Sequence, residues 1–131
     1  MTSSLSQKLQ LKPDQRLVLL NPPPGYSARL ASELANVSLS AESPEPCEAV
    51  LLFVNNLAEV ASLSPEATRL VKPNGLLLIA YPKGSSKIKT DVNRDTLWQA
   101  IQPTGWRPVR QIALDEVWSA MRFRPSDQVG R

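Results

Sequence analysis

Three uninterrupted apolar runs stand out along the chain: LVLL at 17–20, AVLLFV at 49–54 and LLLIA at 76–80. Runs without a polar residue at alternate positions are what a sheet covered on both faces requires, so each predicts a buried strand. A weaker strand is predicted at 37–40, where Val37 and Leu39 alternate with polar neighbours. Near the C-terminus the period falls to two, at 109–114 and 117–123 on either side of Asp115-Glu116, which predicts an antiparallel hairpin. Between the strands the spacing is helical. Leu30 and Leu34 mark a helix over 26–35, and a short helix is expected at 57–62. Ser64-Pro65-Glu66 supplies a cap, a first-turn proline and an acid for a separate helix to about Val71. Lys72-Pro73-Asn74-Gly75 then reads as a turn. Thr90 or Asp91 is expected to cap a helix carrying Leu97, Trp98 and Ile101 on one side and broken by Gly105. A first helix, capped by Ser3 or Ser4, carries Leu5 and Leu9 and ends in the turn at 12–15; residues 41–48, with two prolines and three glutamates, read as loop.

Strands alternating with helices imply right-handed crossovers. The expected architecture is α/β: a small doubly wound, mainly parallel sheet of about six strands, to which the C-terminal hairpin adds an antiparallel edge. A chain of 131 residues has room for one core of this kind, so 1–131 reads as a single domain.

Composition narrows the chemistry. The chain has no histidine, which removes Ser-His-Asp and Cys-His nucleophilic units and imidazole metal ligands. Its one cysteine, Cys47, allows neither an internal disulfide nor a cysteine zinc site, and reads as partly buried or, if exposed, reactive. Residues 1–80 hold 6 Lys/Arg against 7 Asp/Glu, and residues 81–131 hold 9 against 5, so the halves carry −1 and +4. That surplus suits a phosphate-bearing ligand or nucleic acid, and equally an ordinary protein surface. No apolar run approaches the roughly 20 residues of a membrane helix, and the N-terminus lacks a signal-peptide pattern, so a soluble, cytoplasmic protein is expected.

The succession LKPDQRLVLLN, EAVLLFVNN, RLVKPNGLLLIAYPK and GWRPVRQIA resembles, over most of 11–124, the frame of class I S-adenosylmethionine-dependent methyltransferases. The PPPGY and YPKGSSK stretches also resemble those of a group of small bacterial proteins with no established activity. The methyltransferase resemblance implies a cofactor over the strand ends, held at positions matching Asn21, Gly25, Tyr26, Glu42, Asn55 and Asn56. Two departures count against that cofactor. Where the family has a D-x-G-x-G loop, this chain reads Asn21-Pro22-Pro23-Pro24-Gly25, so three backbone donors are missing, although N–H groups at 26–28 remain. Only 27 residues, 21–47, separate the first strand from the EAVLLFV segment, room for one strand where the family fits two, so its third strand is expected to be missing. Glu42 lies about twenty residues past the first strand, as a ribose-binding acid does in dinucleotide folds. No cofactor is expected, and S-adenosylmethionine is the one to test.

Asn21-Pro22-Pro23 also resembles the loop that holds a target amine in amino-methyltransferases, but it follows the wrong strand and lacks the aromatic residue, so a rigid turn is expected. Tyr81, Lys83, Gly84, Ser85, Ser86 and Lys87 lie just past a predicted central strand, where open α/β sheets bind ligands, and their lysines and hydroxyls suit a phosphate or carboxylate. Ser86 and Lys89 match S-x-x-K, whose chemistry needs a helix that this loop does not predict. Asp91, Arg94 and Asp95 read as helix-start capping. Trp106 and Trp118 with Arg107, Arg110, Arg122 and Arg124 offer either core and edge cover or an aromatic, basic surface for single-stranded nucleic acid. The readings therefore remain three: a module binding a small anionic ligand or a protein partner, a methyltransferase completed by homo-oligomerisation, and a nucleic-acid binder. No catalytic residue, metal or membrane is assigned.

Overall fold

The computed structural model describes residues 16–22, 25, 26, 28, 38–40, 47–83, 90–114 and 117–125. The predicted N-terminal helix, most of the helix at 26–35 and the loops at 41–46 and 84–89 lie outside these residues. Strands β1 (Arg16–Leu20), β2 (Ser38–Ser40), β3 (Cys47–Phe53), β4 (Val71–Pro82), β5 (Trp106–Ala113) and β6 (Trp118–Pro125) make one sheet in the order β2-β1-β3-β4-β6-β5. Pairing is parallel from β2 through β4 and antiparallel at β4–β6 and β5–β6. The sheet is thus mixed, and β6 is its one reversed strand. The hairpin was expected to place an antiparallel strand at the edge; instead β6 is tucked inside and the edge strand β5 runs with the others. Burial explains the order. Residues 118–121 and Phe123 of β6 are all buried, whereas most of β5 is exposed, so β6 gains more from two neighbours.

The predicted runs alternate between two apolar layers. Leu17, Leu19, Leu51, Phe53, Leu78 and Trp118 face one side, with Tyr26 against them. Val18, Val50, Leu52, Leu77, Ile79 and Phe123 face the other, beneath helices α1 (Leu57–Leu70) and α2 (Arg94–Ile101).

Helix α1 corrects one expectation. The two helices expected at 57–62 and from Ser64 are one, with Pro65 in its interior. Its buried stripe of Val60, Ser64, Ala67 and Leu70 runs straight through that site. Pro65 itself is exposed, and the Ala61 carbonyl that loses an N–H partner belongs to an exposed residue. Asn56 caps the helix through Oδ1, which accepts from the Glu59 N–H at 2.9 Å.

Helix α2 is capped by Asn93, in a capping box with Thr96, rather than by Thr90 or Asp91. Asp91 serves the other helix: its Oδ1 accepts from the Leu57 N–H of α1 at 2.8 Å. A carboxylate at the positive end of α1 ties the two helix starts together. Asp91→Ala is expected to lower stability by about 1 kcal/mol, the usual cost of a lost cap, read as a lower denaturation midpoint with an unchanged slope. Leu97 and Ile101 are buried as expected, but Trp98 is an exposed large apolar residue. Gly105, at φ 88°, ends the short 3-10 turn Gln102–Thr104 that follows α2.

The Lys72–Gly75 turn was expected to precede its strand and instead lies within β4. Cys47 pairs with Val71 but Ala49 with Leu76, so the surplus residues form an irregularity beside β3. No helix among the described residues is long and apolar enough to cross a membrane.

Candidate functional site

The carboxyl ends of β1, β3 and β4 gather most of the predicted site residues. Asn21 leaves β1 at φ 57°, a left-handed conformation that asparagine tolerates better than most residues. Its Nδ2 donates to the Phe53 carbonyl at 3.0 Å and to Glu59 Oε1 at 3.3 Å. The same Oε1 accepts from Asn55 N–H at 2.6 Å and from Asn55 Nδ2 at 3.0 Å. Asn21, Asn55 and Asn56 therefore converge through Glu59, which the sequence reading missed. The available signal was the Asn56-x-x-Glu59 spacing, that of a capping box. Here Glu59 reaches back to the Asn55 N–H.

In the order β2-β1-β3-β4, the chain winds outward in opposite directions from β1 and β3. The crevice beyond those two strand ends is where open α/β sheets take their ligands. The Asn21 amide spans from β1 to the last residue of β3, and Tyr26, 7% exposed, packs against Phe53 with ring centroids 4.9 Å apart and an interplanar angle of 61°. Phe53 in turn meets Trp118 at 5.3 Å and 83°. Both are edge-to-face contacts of the kind aromatic pairs favour. Gly25, at φ 78°, is exposed, and a Cβ there would meet nothing within 4 Å. Its role is the backbone turn that delivers Tyr26, since no neighbouring atom needs the missing side chain.

A second feature lies on the helix-covered face at the end of β4. Tyr81 and Lys83 line an open cavity of about 540 Å³ with Asn93, Arg94, Gln111 and Ser119, among others; among the described residues Asp95 is the one acid on its wall. Gln111 Nε2 donates to the Tyr81 hydroxyl at 3.1 Å and to Ser119 Oγ at 2.9 Å, which joins β4, β5 and β6 across the cavity floor. Burial raises the Tyr81 pKa above its ordinary value, against the opposing pull of Ser119 and Arg94, so near neutral pH the phenol is a neutral donor. The structure thus joins Tyr81 to Lys83 and adds Arg94, Gln111 and Ser119 to the predicted set. Glu42, Gly84, Ser85, Ser86 and Lys87 lie outside the described residues.

Cys47 is fully buried, and its thiol donates to the Ala49 carbonyl at 3.1 Å. Burial pushes its pKa up, so it is an inert thiol. No cluster of metal-ligating side chains occurs among the described residues. Trp106 and Trp118, 8% and 6% exposed, belong to opposite apolar layers and offer no shared stacking platform.

No family model matches the chain, and no curated protein matches its sequence. Solved structures do match it in fold. A ribosomal protein L11 methylase from Lactobacillus delbrueckii subsp. bulgaricus aligns over 91% of this chain and 73% of its own, with TM-score 0.56 and 7% identity. The DhpI–SAH complex aligns over 95% and 83%, with TM-score 0.61 and 12% identity. A SAM-dependent methyltransferase from Aquifex aeolicus aligns over 89% and 85%, with TM-score 0.54 and 13% identity. Identity at this level speaks for architecture alone: the chain has a methyltransferase-like α/β fold.

Proposed function

We propose that this chain is a methyltransferase-fold domain that has given up methyl transfer and takes a small anionic ligand in the cavity beside Tyr81. One observation carries the first half: the crevice between β1 and β3 is bridged by Asn21 and lined by the packed rings of Tyr26 and Phe53. S-adenosylmethionine does not fit there. Its amino-acid end would need backbone donors at a loop whose sequence replaces three of them with proline, and the Asn21 amide is already bonded to the Phe53 carbonyl and Glu59. The anionic half is supported by the cavity wall, where Lys83 and Arg94 outnumber Asp95 and where Tyr81, Ser119 and Gln111 supply neutral polar groups.

Calorimetric titration with S-adenosylmethionine and S-adenosylhomocysteine should give no binding heat. Micromolar binding of either would overturn the proposal. Inorganic phosphate, as a probe of the cavity, should raise the melting temperature, by the equivalent of about 2.7 kcal/mol at a hundredfold excess over Kd. Arg94→Ala, at an exposed position, should reduce that rise with the fold intact.

A further inference from the structure

The register of β5 and β6 assembles four arginines that the cavity does not use. Arg107 pairs with Arg124, and Arg110 with Arg122. Directly paired residues of an antiparallel ladder share a face, and Ile112 and Ala120, two residues on, place that face on the Tyr26 side of the sheet. Spacing of three would normally put Arg107 and Arg110 on opposite faces. A register shift between Pro108 and Arg110 leaves Val109 as the extra residue and turns both arginines the same way.

Like charges directly opposite each other cost stability, so two stacked Arg–Arg pairs demand an explanation. Among the described residues no acidic side chain bonds to any of the four. Arg107, Arg110 and Arg124 are exposed, while Arg122 is half-buried and its Nε is buried without a hydrogen-bond partner among the described residues. Burial first, then the charges of Arg124 and Arg110, depress the Arg122 pKa. An anion set between the pairs would relieve the repulsion and give Arg122 an acceptor.

We infer that this arginine face of β5 and β6 binds the phosphate backbone of a single-stranded nucleic acid. Geometry favours one strand over two. The arginines form a track only two β-strands wide, about 5 Å, which suits one line of phosphates and falls short of the roughly 12 Å across a duplex major groove. An acidic peptide added to the sheet edge is disfavoured by that edge itself. Pro108 has no N–H, and the irregularity at Val109 interrupts the ladder that strand addition needs. With Trp106 and Trp118 buried, bases find no stacking platform here, so recognition is through phosphates and independent of sequence.

The test is fluorescence anisotropy with a labelled mixed-sequence RNA strand over a salt series. The unmodified chain should bind with a log–log salt slope of about −2.8, some 0.7 for each of four phosphates neutralised. Arg110→Gln/Arg124→Gln should halve that slope to about −1.4 and weaken low-salt binding at least tenfold, with unchanged circular dichroism as the folding control. Arg110→Lys/Arg124→Lys should keep most of the slope. Absence of binding at low salt, or a slope and affinity unmoved in the Gln variant, overturns the inference. A labelled polyglutamate peptide bound as tightly as the RNA also overturns it, in favour of an acidic protein segment.

Discussion

Phe53→Ala is expected to remove about 3–5 kcal/mol of stability, the cost of deleting a buried aromatic side chain. Phe53 is fully buried at the last position of β3, with Tyr26 edge-on to one part of the ring and Trp118 to another. The truncation therefore loses the transfer energy of one ring, about 0.5–1.5 kcal/mol from each aromatic contact, and leaves a void between side chains carried by different elements. Total stabilities of about 5–15 kcal/mol make this a large fraction of the whole for a domain of this size. Urea denaturation followed by circular dichroism checks it. A loss below about 1 kcal/mol would mean that Tyr26 and Trp118 close over the gap.

Gly75→Ala is expected to cost about 3 kcal/mol and to lower the melting temperature by roughly 10 °C. A Cβ at Gly75 would stand 2.7 Å from the Glu48 carbonyl oxygen, 3.0 Å from Val71 Cγ2 and 3.1 Å from the Lys72 carbonyl oxygen. Two of the three obstacles are backbone atoms, so the clash cannot be relieved by a rotamer change. Gly75 sits in the irregularity where β4 carries its surplus residues past β3, and the missing side chain is what lets the two strands approach. Gly105→Ala provides the contrast. A Cβ there meets nothing within 4 Å, so the cost comes only from holding φ at 88°, about 1 kcal/mol. Equal melting temperatures for the two variants would remove close approach as the reason for Gly75.

Local pattern determined the parts of this fold whose cause is local. LVLL, AVLLFV and LLLIA had to be strands covered on both faces, because continuous apolar runs bury completely only there, and they became β1, β3 and β4 of the parallel core. Alternation at the C-terminus identified the hairpin, and the Asn55-Asn56 ending of the second run placed polar groups at the carboxyl end of the sheet. The absence of histidine and the single Cys47 set the limits on chemistry before any coordinate was known.

What the sequence could not decide depends on residues far apart in the chain. Ser64-Pro65-Glu66 has every mark of a helix start, yet the packing stripe through Val60, Ser64 and Ala67 carries one helix past it. Asp91 carries the mark of a cap for its own helix but serves Leu57, 34 residues earlier. The Asn21 amide reaches the Phe53 carbonyl 32 residues later and ties the end of β1 to the end of β3. The placement of β6 inside β5 follows from burial on both its faces, and one extra residue at Val109 turns Arg107 and Arg110 to the same side. Periodicity specifies which face a side chain takes within its own strand; which strand lies beside it, and in what register, is settled only when the layers pack.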